Sequence, residues 1–499
     1  MRTSGVLLPI FSLPGDYGIG CLSREAYSFV KYLKKAGQTY WQILPVGPTS
    51  YGDSPYQSFS TFAGNPYFIS LESLIDEGLL TREECDEADL GDDETDIDYG
   101  KQYYNRYPLL RKAYERSNIS RDKRFRKFVR KNAWWLTDYC RFMAIKDSYG
   151  GKSYQEWDEP LRIHDRKAIR RFEREHRGDV MFYAFLQYKF YREWHKFKKY
   201  ANKNGIKIIG DIPIYVAPDS ADTWANPKLF QFDENRRPTR VAGCPPDGFS
   251  ATGQLWGNPL YEWDYHKKTG FKWWIRRISS CLSMYDVIRI DHFRGFDEYY
   301  SIDAEADTAV DGYWVKGPGT RLFNAIERKL GKVAIIAEDL GFQTDTVKQM
   351  VKDTGYPNMK VLEFAFDARD QKDDTSGPND YLPLAYDKNC VVYTGTHDNE
   401  TLMGFLKSIT KPEKKLIKKY LAMKGATDEQ LVHGLIRAAM ASVADWCIIP
   451  LQDYLALDNS ARINTPSTTG ENWRWRVRSE QLSKAVRKEM KDLTETYWR

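Results

Sequence analysis

The stretch VIRIDHFRG, residues 287–295, contains a short run of apolar and β-branched residues that ends in an aspartate. Such a run, about four to eight residues long, is typical of a strand buried inside a parallel sheet. Similar runs recur along the chain, and amphipathic helical segments lie between several of them. They cover residues 5–10, 39–44, 206–214, 333–338, 360–366, 391–394 and 447–451. Eight strands that alternate with helices predict an α/β fold, a TIM (β/α)8 barrel.

Two long segments interrupt this alternation. Residues 66–204 contain an acidic stretch and then a Lys/Arg-rich region with helical spacing, which predicts a mainly helical insertion between strands 2 and 3. Residues 215–285 form a second insertion with a long loop at 245–257, and such loops in compact domains are usually functional. We therefore expect one catalytic barrel domain over residues 1–499, with insertions forming subdomains around its C-terminal face. An open doubly wound sheet is the alternative, although its glycine-rich phosphate motif is absent after the first strand.

Composition argues against several classes of partner. The 499 residues include 74 basic and 69 acidic side chains, a net charge of +5 that gives little support to nucleic-acid binding. No apolar run approaches the roughly 20 residues that span a bilayer. The seven cysteines are scattered and form no CxxC pair. We expect a soluble, cytoplasmic protein with free thiols and without nucleic-acid or membrane partners, and the oligomeric state is left open.

Four of the apolar runs are followed by a carboxylate. These residues are Asp211, Asp291, Glu338 and Asp398. Any one of them could be a helix N-cap. In a TIM barrel, however, the C-terminal ends of the strands meet at one rim, and that rim carries the catalytic side chains. Four acidic residues on one rim therefore predict an active site.

Cleavage of a glycosidic bond with retention needs a carboxylate nucleophile and a second carboxyl, roughly 5 Å away, that donates and then removes a proton. Asp291 and Glu338 fit these roles because they end consecutive predicted strands. Asp398 could stabilise the positive charge that develops on the sugar ring. Arg289 lies two residues before Asp291, on the same side of the strand, and could keep that aspartate ionised.

Two histidines adjoin these carboxylates. His292 and His397 could hydrogen bond to sugar hydroxyls, but the pairs that they form with Asp291 and Asp398 are also able to bind a metal. A metal-dependent hydrolase is therefore an alternative. Such barrels commonly need a histidine pair on an early strand, whereas no histidine precedes His164. We predict that the enzyme uses no metal and no cofactor.

Longer motifs resemble a known family. RIDHFRG at 289–295, AEDLG at 337–341 and THDNET at 396–401 resemble the three catalytic motifs of the α-amylase clan. Over residues 5–475 the chain resembles glycoside hydrolase family 77, the amylomaltases. The motifs that carry this second resemblance are SLPGDYGIG at 12–20, GDSPYQSFSTFAGNPY at 52–67, GDIPIYV at 210–216 and PPDGFSATGQLWGNPLY at 245–261.

The resemblance implies a 4-alpha-glucanotransferase that acts on α-1,4-glucans and malto-oligosaccharides. Asp291 is then the nucleophile, Glu338 the acid/base and Asp398 the transition-state stabiliser, and the loop at 245–257 covers the substrate. The implied sugar contacts are Tyr56, Asp211, Asp247, Gln254, Trp256 and Asn464. An α-amylase-type hydrolase and a non-catalytic glucan-binding protein remain as alternatives, which the products formed from maltotriose would separate.

Overall fold

A computed structural model describes residues 2–50, 52–246, 250–341, 343–367 and 379–499. The strands in these ranges are β1 (Thr3–Leu7), β2 (Tyr40–Gln42), β3 (Lys207–Pro213), β4 (Arg240–Cys244), β5 (Gln254–Pro259), β6 (Val287–Asp291), β7 (Glu298–Asp303), β8 (Tyr313–Lys316), β9 (Ile335–Ala337), β10 (Asn358–Val361), β11 (Cys390–Tyr393) and β12 (Trp446–Pro450).

Eight of these strands form one parallel sheet in the order β10-β11-β12-β1-β2-β3-β6-β9. The two edge strands meet, because the N–H of Ala337 in β9 donates to the carbonyl of Pro357, just before β10, at 2.9 Å. The sheet is therefore a nearly closed barrel. The predicted TIM (β/α)8 barrel is confirmed, and the doubly wound alternative is wrong.

One predicted strand is too long. Strand β10 ends at Val361, and the rest of the predicted run at 360–366 contains the 3-10 helix Leu362–Ala365. Apolar content alone does not separate a buried strand from a buried helical turn. The backbone N–H of Glu363 donates to the carbonyl of Thr394 at 3.2 Å, which ties this turn to the end of β11.

Helices lie between the barrel strands, as the amphipathic segments predicted. The α-helices are α1 (Arg24–Lys35), α2 (Leu71–Asp76), α3 (Arg82–Asp86), α4 (Tyr99–Lys101), α5 (Tyr107–Arg116), α6 (Lys123–Ser148), α7 (Glu159–Arg162), α8 (Arg166–Glu175), α9 (Arg177–Lys203), α10 (Ala221–Ala225), α11 (Trp263–Lys268), α12 (Lys272–Met284), α13 (Thr320–Leu330), α14 (Asp345–Thr354), α15 (Leu402–Ser408), α16 (Lys411–Tyr420), α17 (Asp428–Ala441), α18 (Leu451–Tyr454) and α19 (Lys484–Thr496).

Helix α1 shows why the local sequence folds in this way. Glu25 lies in its first turn and Lys34 and Lys35 in its last, which suits the helix dipole. One stripe of the helix is buried and Gly37 follows its end with a φ of 74°, a conformation that glycine adopts without strain. The buried stripe contains Ala26, Phe29, Val30 and Leu33.

Helices α2 to α9 occupy the segment between β2 and β3, where α6 and α9 pack along each other. Residues 215–285 contain α10, β4, β5, α11 and α12. Strands β5-β4-β7-β8 form a small antiparallel sheet, to which β5 brings Gln254 and Trp256. The assignment of these segments as subdomains of one catalytic domain stays our proposal. Of the helices in the described ranges, none has both the length and the apolar character of a membrane span.

Candidate active site

Two carboxylates lie at the ends of neighbouring barrel strands. Strands β6 and β9 pair in parallel with Ile290 opposite Ala337, so that Asp291 and Glu338 both follow directly at the rim. The N–H of Glu338 donates to the carbonyl of Ile290 at 3.2 Å, and the N–H of Phe293 donates to the carbonyl of Glu338 at 2.9 Å. The backbone therefore fixes the two acidic residues with respect to each other.

Arg289 connects Asp291 to a deeper carboxylate. Its Nη2 lies 2.9 Å from Oδ1 of Asp291, while its Nη1 donates to Oδ1 and Oδ2 of Asp211 at 2.8 and 2.7 Å. Asp211 stands opposite Arg289 in the β3–β6 register, which explains how residues 78 positions apart meet. Arg289 and Asp211 are both buried. Arg289 therefore makes the contact that it needs in order to keep Asp291 ionised.

Glu338 has a different environment from Asp291. Its Oε2 accepts a hydrogen bond from the N–H of His292 at 2.6 Å, and its Oε1 accepts one from the N–H of Leu340 at 2.8 Å. His292 has a left-handed backbone with φ 54°, which lets its N–H face the carboxylate. Burial and then the nearby Asp291 carboxyl raise the pKa of Glu338 to about 8. Burial therefore favours the protonated form of Glu338, which is the form that a general acid requires.

Burial also raises the pKa of Asp291, and the Arg289 guanidinium acts in the opposite direction. Glu338 receives two backbone N–H groups, whereas Asp291 receives a cation at ion-pair distance. Two carboxyls in unlike environments can hold different protonation states. This arrangement favours an ionised Asp291 beside a protonated Glu338.

Asp398 lies on the turn after β11, and two residues of the C-terminal part of the chain hold it in place. The side-chain amide of Asn464 donates to Oδ1 of Asp398 at 2.6 Å, and Arg462 donates to its backbone carbonyl, also at 2.6 Å. On the other side, Nε2 of His397 lies 3.3 Å from the same Oδ1. The predicted sugar contact Asn464 thus also orients a catalytic candidate.

Tyr56 connects the two halves of the rim. Its hydroxyl donates to Oδ2 of Asp211 at 2.9 Å and lies 3.4 Å from Nδ1 of His397. Its ring stacks on that of His397 with centroids 5.0 Å apart, and the Trp473 ring contacts both, at 5.8 and 6.0 Å. Tyr56 therefore shares one network with Asp211, His397 and Trp473.

The small antiparallel sheet brings two more predicted residues to the site. Trp256 packs edge-to-face on His292 with ring centroids 4.8 Å apart, and its indole N–H donates to the Gln254 side chain at 3.0 Å. Burial lowers the pKa of His292 to about 3, so that this ring is neutral. Asp247, the remaining predicted contact, lies outside the described residues. Direct sugar binding by any of these residues stays a prediction.

Some residues of the site were not predicted from the sequence. Arg462 and Trp473 belong to the C-terminal segment and carry no motif of their own, although Arg462 lies two positions before the predicted Asn464. Arg462 reaches Asp398 across 64 residues. Only a signal for long-range contact could have identified it.

Among the described residues, no three His, Cys, Asp or Glu side chains are placed to hold a metal ion. These residues therefore offer no ligand set for the metal-dependent alternative. The absence of a metal or cofactor remains a prediction.

Comparisons with known proteins agree on one family. A family model described as 4-alpha-glucanotransferase matches residues 8–482. The 4-alpha-glucanotransferase of Clostridium butyricum is 47% identical over 492 residues, which is 98% of this chain and 99% of the relative. That of Thermus thermophilus is 46% identical over 491 residues, which is 97% and 96% of the two chains. The solved amylomaltase from Streptococcus agalactiae in complex with acarbose superposes with a TM-score of 0.95 at 40% identity and covers 100% of both chains.

Proposed function

The chain belongs to the 4-alpha-glucanotransferase family and is a 4-alpha-glucanotransferase, and from this premise we propose that Asp291, Glu338 and Asp398 catalyse the transfer. The resemblance seen in the sequence motifs is thereby confirmed. The observation that carries the proposal is the contrast between the two rim carboxyls: Arg289 pairs with Asp291, while the buried Glu338 accepts from two backbone N–H groups and burial raises its pKa. A nucleophile must be ionised and a general acid protonated at the same pH.

In the first step, a carboxylate oxygen of Asp291 attacks the anomeric carbon of the donor glucan. The bond from that carbon to the glycosidic oxygen breaks, and the proton of Glu338 moves to the departing oxygen, which leaves as a hydroxyl. A covalent glucosyl-enzyme results, and its sugar is inverted relative to the substrate. Asp398, held by Asn464 and His397, stabilises the positive charge that develops between the two states.

In the second step, Glu338 is a carboxylate and acts as the base. It removes the proton from the 4-hydroxyl of glucose or of another glucan, whose oxygen attacks the anomeric carbon and displaces Asp291. The new bond is again α-1,4, because two inversions restore the original configuration. Glu338 ends the cycle protonated.

We propose malto-oligosaccharides and longer α-1,4-glucans as donors and acceptors. The enzyme acts on α-glucans, and the acarbose complex of the Streptococcus agalactiae relative supports malto-oligosaccharides as ligands. Tyr56, His292, His397 and Trp256 line the rim around the carboxylates and offer rings and polar tips to sugar hydroxyls.

The proposal also assigns a role to the small sheet. Transfer exceeds hydrolysis only when water is kept from the covalent intermediate. Trp256 on β5 contacts His292 beside the nucleophile and donates to the Gln254 side chain, and it is placed to do this.

A cytoplasmic location is a further part of the proposal. Cys21, Cys85, Cys140, Cys281, Cys390 and Cys447 are buried thiols outside any disulfide. Unpaired thiols in this number suit a reducing compartment.

Incubation with maltotriose alone tests the reaction. Transfer produces glucose and longer maltodextrins without a rise in reducing ends, whereas hydrolysis raises reducing ends. To test the residue roles, Glu338→Gln is incubated with α-glucosyl fluoride, whose leaving group needs no proton from the enzyme. The variant should accumulate a glucosyl adduct on the peptide that contains Asp291, visible by mass spectrometry. Asp291→Ala is the matched control, and an adduct in that variant would contradict the assignment.

A further inference from the structure

A buried carboxyl lies directly behind the turn that carries Asp398. Glu363 follows β10 in the 3-10 helix Leu362–Ala365 and is 4% exposed. Its Oε1 lies so close to Gly395 that a Cβ placed on that glycine would be 3.2 Å away. The Glu363 side chain therefore packs against the start of the catalytic turn, residues 394–402.

Contacts and hydrogen bonds lead from this carboxyl to Asp398. A Cβ placed on Gly395 would lie 3.2 Å from Glu363 Oε1 and 3.1 Å from Asn399 Cβ, so the two side chains meet at that glycine. Asn399 Oδ1 accepts from the N–H and the hydroxyl of Thr396 at 2.9 and 2.8 Å. The Thr396 hydroxyl in turn accepts from the N–H of Asp398 at 3.2 Å. These three hydrogen bonds join groups inside one turn, so the orientation of Asn399 sets the backbone that presents Asp398.

A second buried carboxyl holds the other side of the same turn. Asp453, which lies in α18 just after β12, accepts from the hydroxyl of Thr394 at 2.6 Å and from the N–H of Leu402 at 2.8 Å. These two contacts fix the ends of the turn, while Glu363 contacts its interior. The turn is thus anchored at its ends by one carboxyl and shaped from within by the other.

The groups that face Glu363 explain its charge state. Burial raises the pKa of Glu363 well above its usual value, the Asp453 and Glu400 carboxyls raise it further, and Arg462 and Asn399 oppose the rise. Within the described part of the chain, Oε1 of Glu363 has no hydrogen-bond partner. An ionised carboxyl without full pairing is costly at such a site. Burial therefore favours the neutral form of Glu363.

We propose that Glu363 is a positioning residue for the transfer reaction, which acts through Asn399 and Thr396 to fix Asp398 at the rim. The inference rests on the proposed role of Asp398. Glu363 is buried behind the turn, so we assign it an effect through the turn and not a contact with the sugar. Because a shift of about 1 Å in a catalytic group can cost roughly 100-fold in rate, loosening this turn should affect the chemical step more than substrate binding.

The test compares Glu363→Ala with the isosteric Glu363→Gln by steady-state kinetics on maltotriose. Glu363→Ala should lower kcat by about 10- to 100-fold with KM within about threefold, because the turn loses the side chain that packs against Gly395 and Asn399. Glu363→Gln keeps a neutral group of the same shape and should restore kcat to within about threefold of the parent. Asn399→Ala should reproduce the loss of Glu363→Ala. A kcat of Glu363→Gln as low as that of Glu363→Ala would overturn the proposal.

Two controls separate positioning from general destabilisation. Glu193→Ala removes a carboxyl that accepts from the N–H of Ser70 at 2.9 Å and has its pKa raised by burial to about 8. Glu193 lies in α9, away from the rim, and the kcat of the variant should stay unchanged. In a variant that already carries Asp398→Asn, Glu363→Ala should lower kcat by less than about threefold further, because Glu363 acts through Asp398. If Glu363→Ala lowers kcat as much in the Asp398→Asn background as in the parent, the positioning role of Glu363 is overturned. A fully active Asp398→Asn would instead refute the role proposed for Asp398.

Discussion

The guanidinium of Arg289 donates to both carboxylate oxygens of Asp211, at 2.8 and 2.7 Å, in the interior of the barrel. Asp211 has no exposed surface and Arg289 is 3% exposed. The pair fixes the arginine, whose other nitrogen reaches Asp291. A buried carboxylate on the neighbouring strand therefore holds the arginine that pairs with the proposed nucleophile.

Asp211→Asn should destabilise the fold and slow the reaction. The variant leaves a buried guanidinium with reduced compensation, and loss of one partner from a buried ion pair costs about 3–5 kcal/mol. Denaturant unfolding measures the loss. Asp303→Asn is the control, because its contact with Arg240 spans 3.5 Å at an aspartate that is 63% exposed, and such pairs contribute about 0–1 kcal/mol. Equal losses in both variants would contradict the account.

The pH profile of kcat should fall on its alkaline side as Glu338 loses its proton. Burial and Asp291 raise the pKa of Glu338 to about 8, so activity declines as pH rises through that value. Activity should also fall at low pH, as Asp291 becomes protonated. The profile is measured with maltotriose. An alkaline decline that persists unchanged in Glu338→Gln, using α-glucosyl fluoride, would show that another group is responsible.

Glu338→Gln should be more stable than the parent protein above neutral pH. The folded state keeps the proton on Glu338 up to about pH 8, while the unfolded chain releases it near the ordinary glutamate pKa of 4.5. Stability of the parent therefore falls as pH rises between these values and levels off above them. The free energy of unfolding of Glu338→Gln, relative to that of the parent, should be greater at pH 8 than at pH 4.5 by more than about 1 kcal/mol. A gain that does not depend on pH would refute this explanation.

Asn464→Ala should lower kcat by about 10-fold or more, since it removes the amide that donates to Asp398 at 2.6 Å. Asn464→Asp should be worse, because it places a second negative group beside Asp398. Both are assayed on maltotriose. Asn132→Ala, which removes a side chain bonded to the Phe128 carbonyl in α6, serves as the control and should keep full activity.

Trp256→Ala should increase the share of hydrolysis, because it removes the ring that packs on His292 and opens the site to water. The measurement is the ratio of reducing ends formed to total glucose released from maltotriose. Tyr313→Ala is the control, since that residue lies on β8 of the same small sheet with 55% of its surface exposed. An unchanged ratio in Trp256→Ala would contradict the shielding role of β5.

Local sequence was enough to predict the barrel and its acidic rim. Strand periodicity and the residues that end each run depend on neighbours within a few positions, so Asp291, Glu338 and Asp398 could be identified without tertiary information. The limits of the local signal appear at 360–366, where a buried 3-10 helix carries the same apolar content as a strand. Long motifs identified the family, because each of them spans many residues of a site and not one strand or helix alone.

Only the tertiary structure decided how these carboxylates are held. Asp211 is 78 residues from Arg289, Asn464 is 66 from Asp398 and Arg462 is 64 from it, and no sequence period connects positions so far apart. Barrel closure brings them together, and the resulting burial sets which carboxyl keeps its proton. The sequence therefore determined which groups are available for the chemistry, while packing determined their charge and orientation, because both depend on solvent exclusion and contacts that form only in the folded chain.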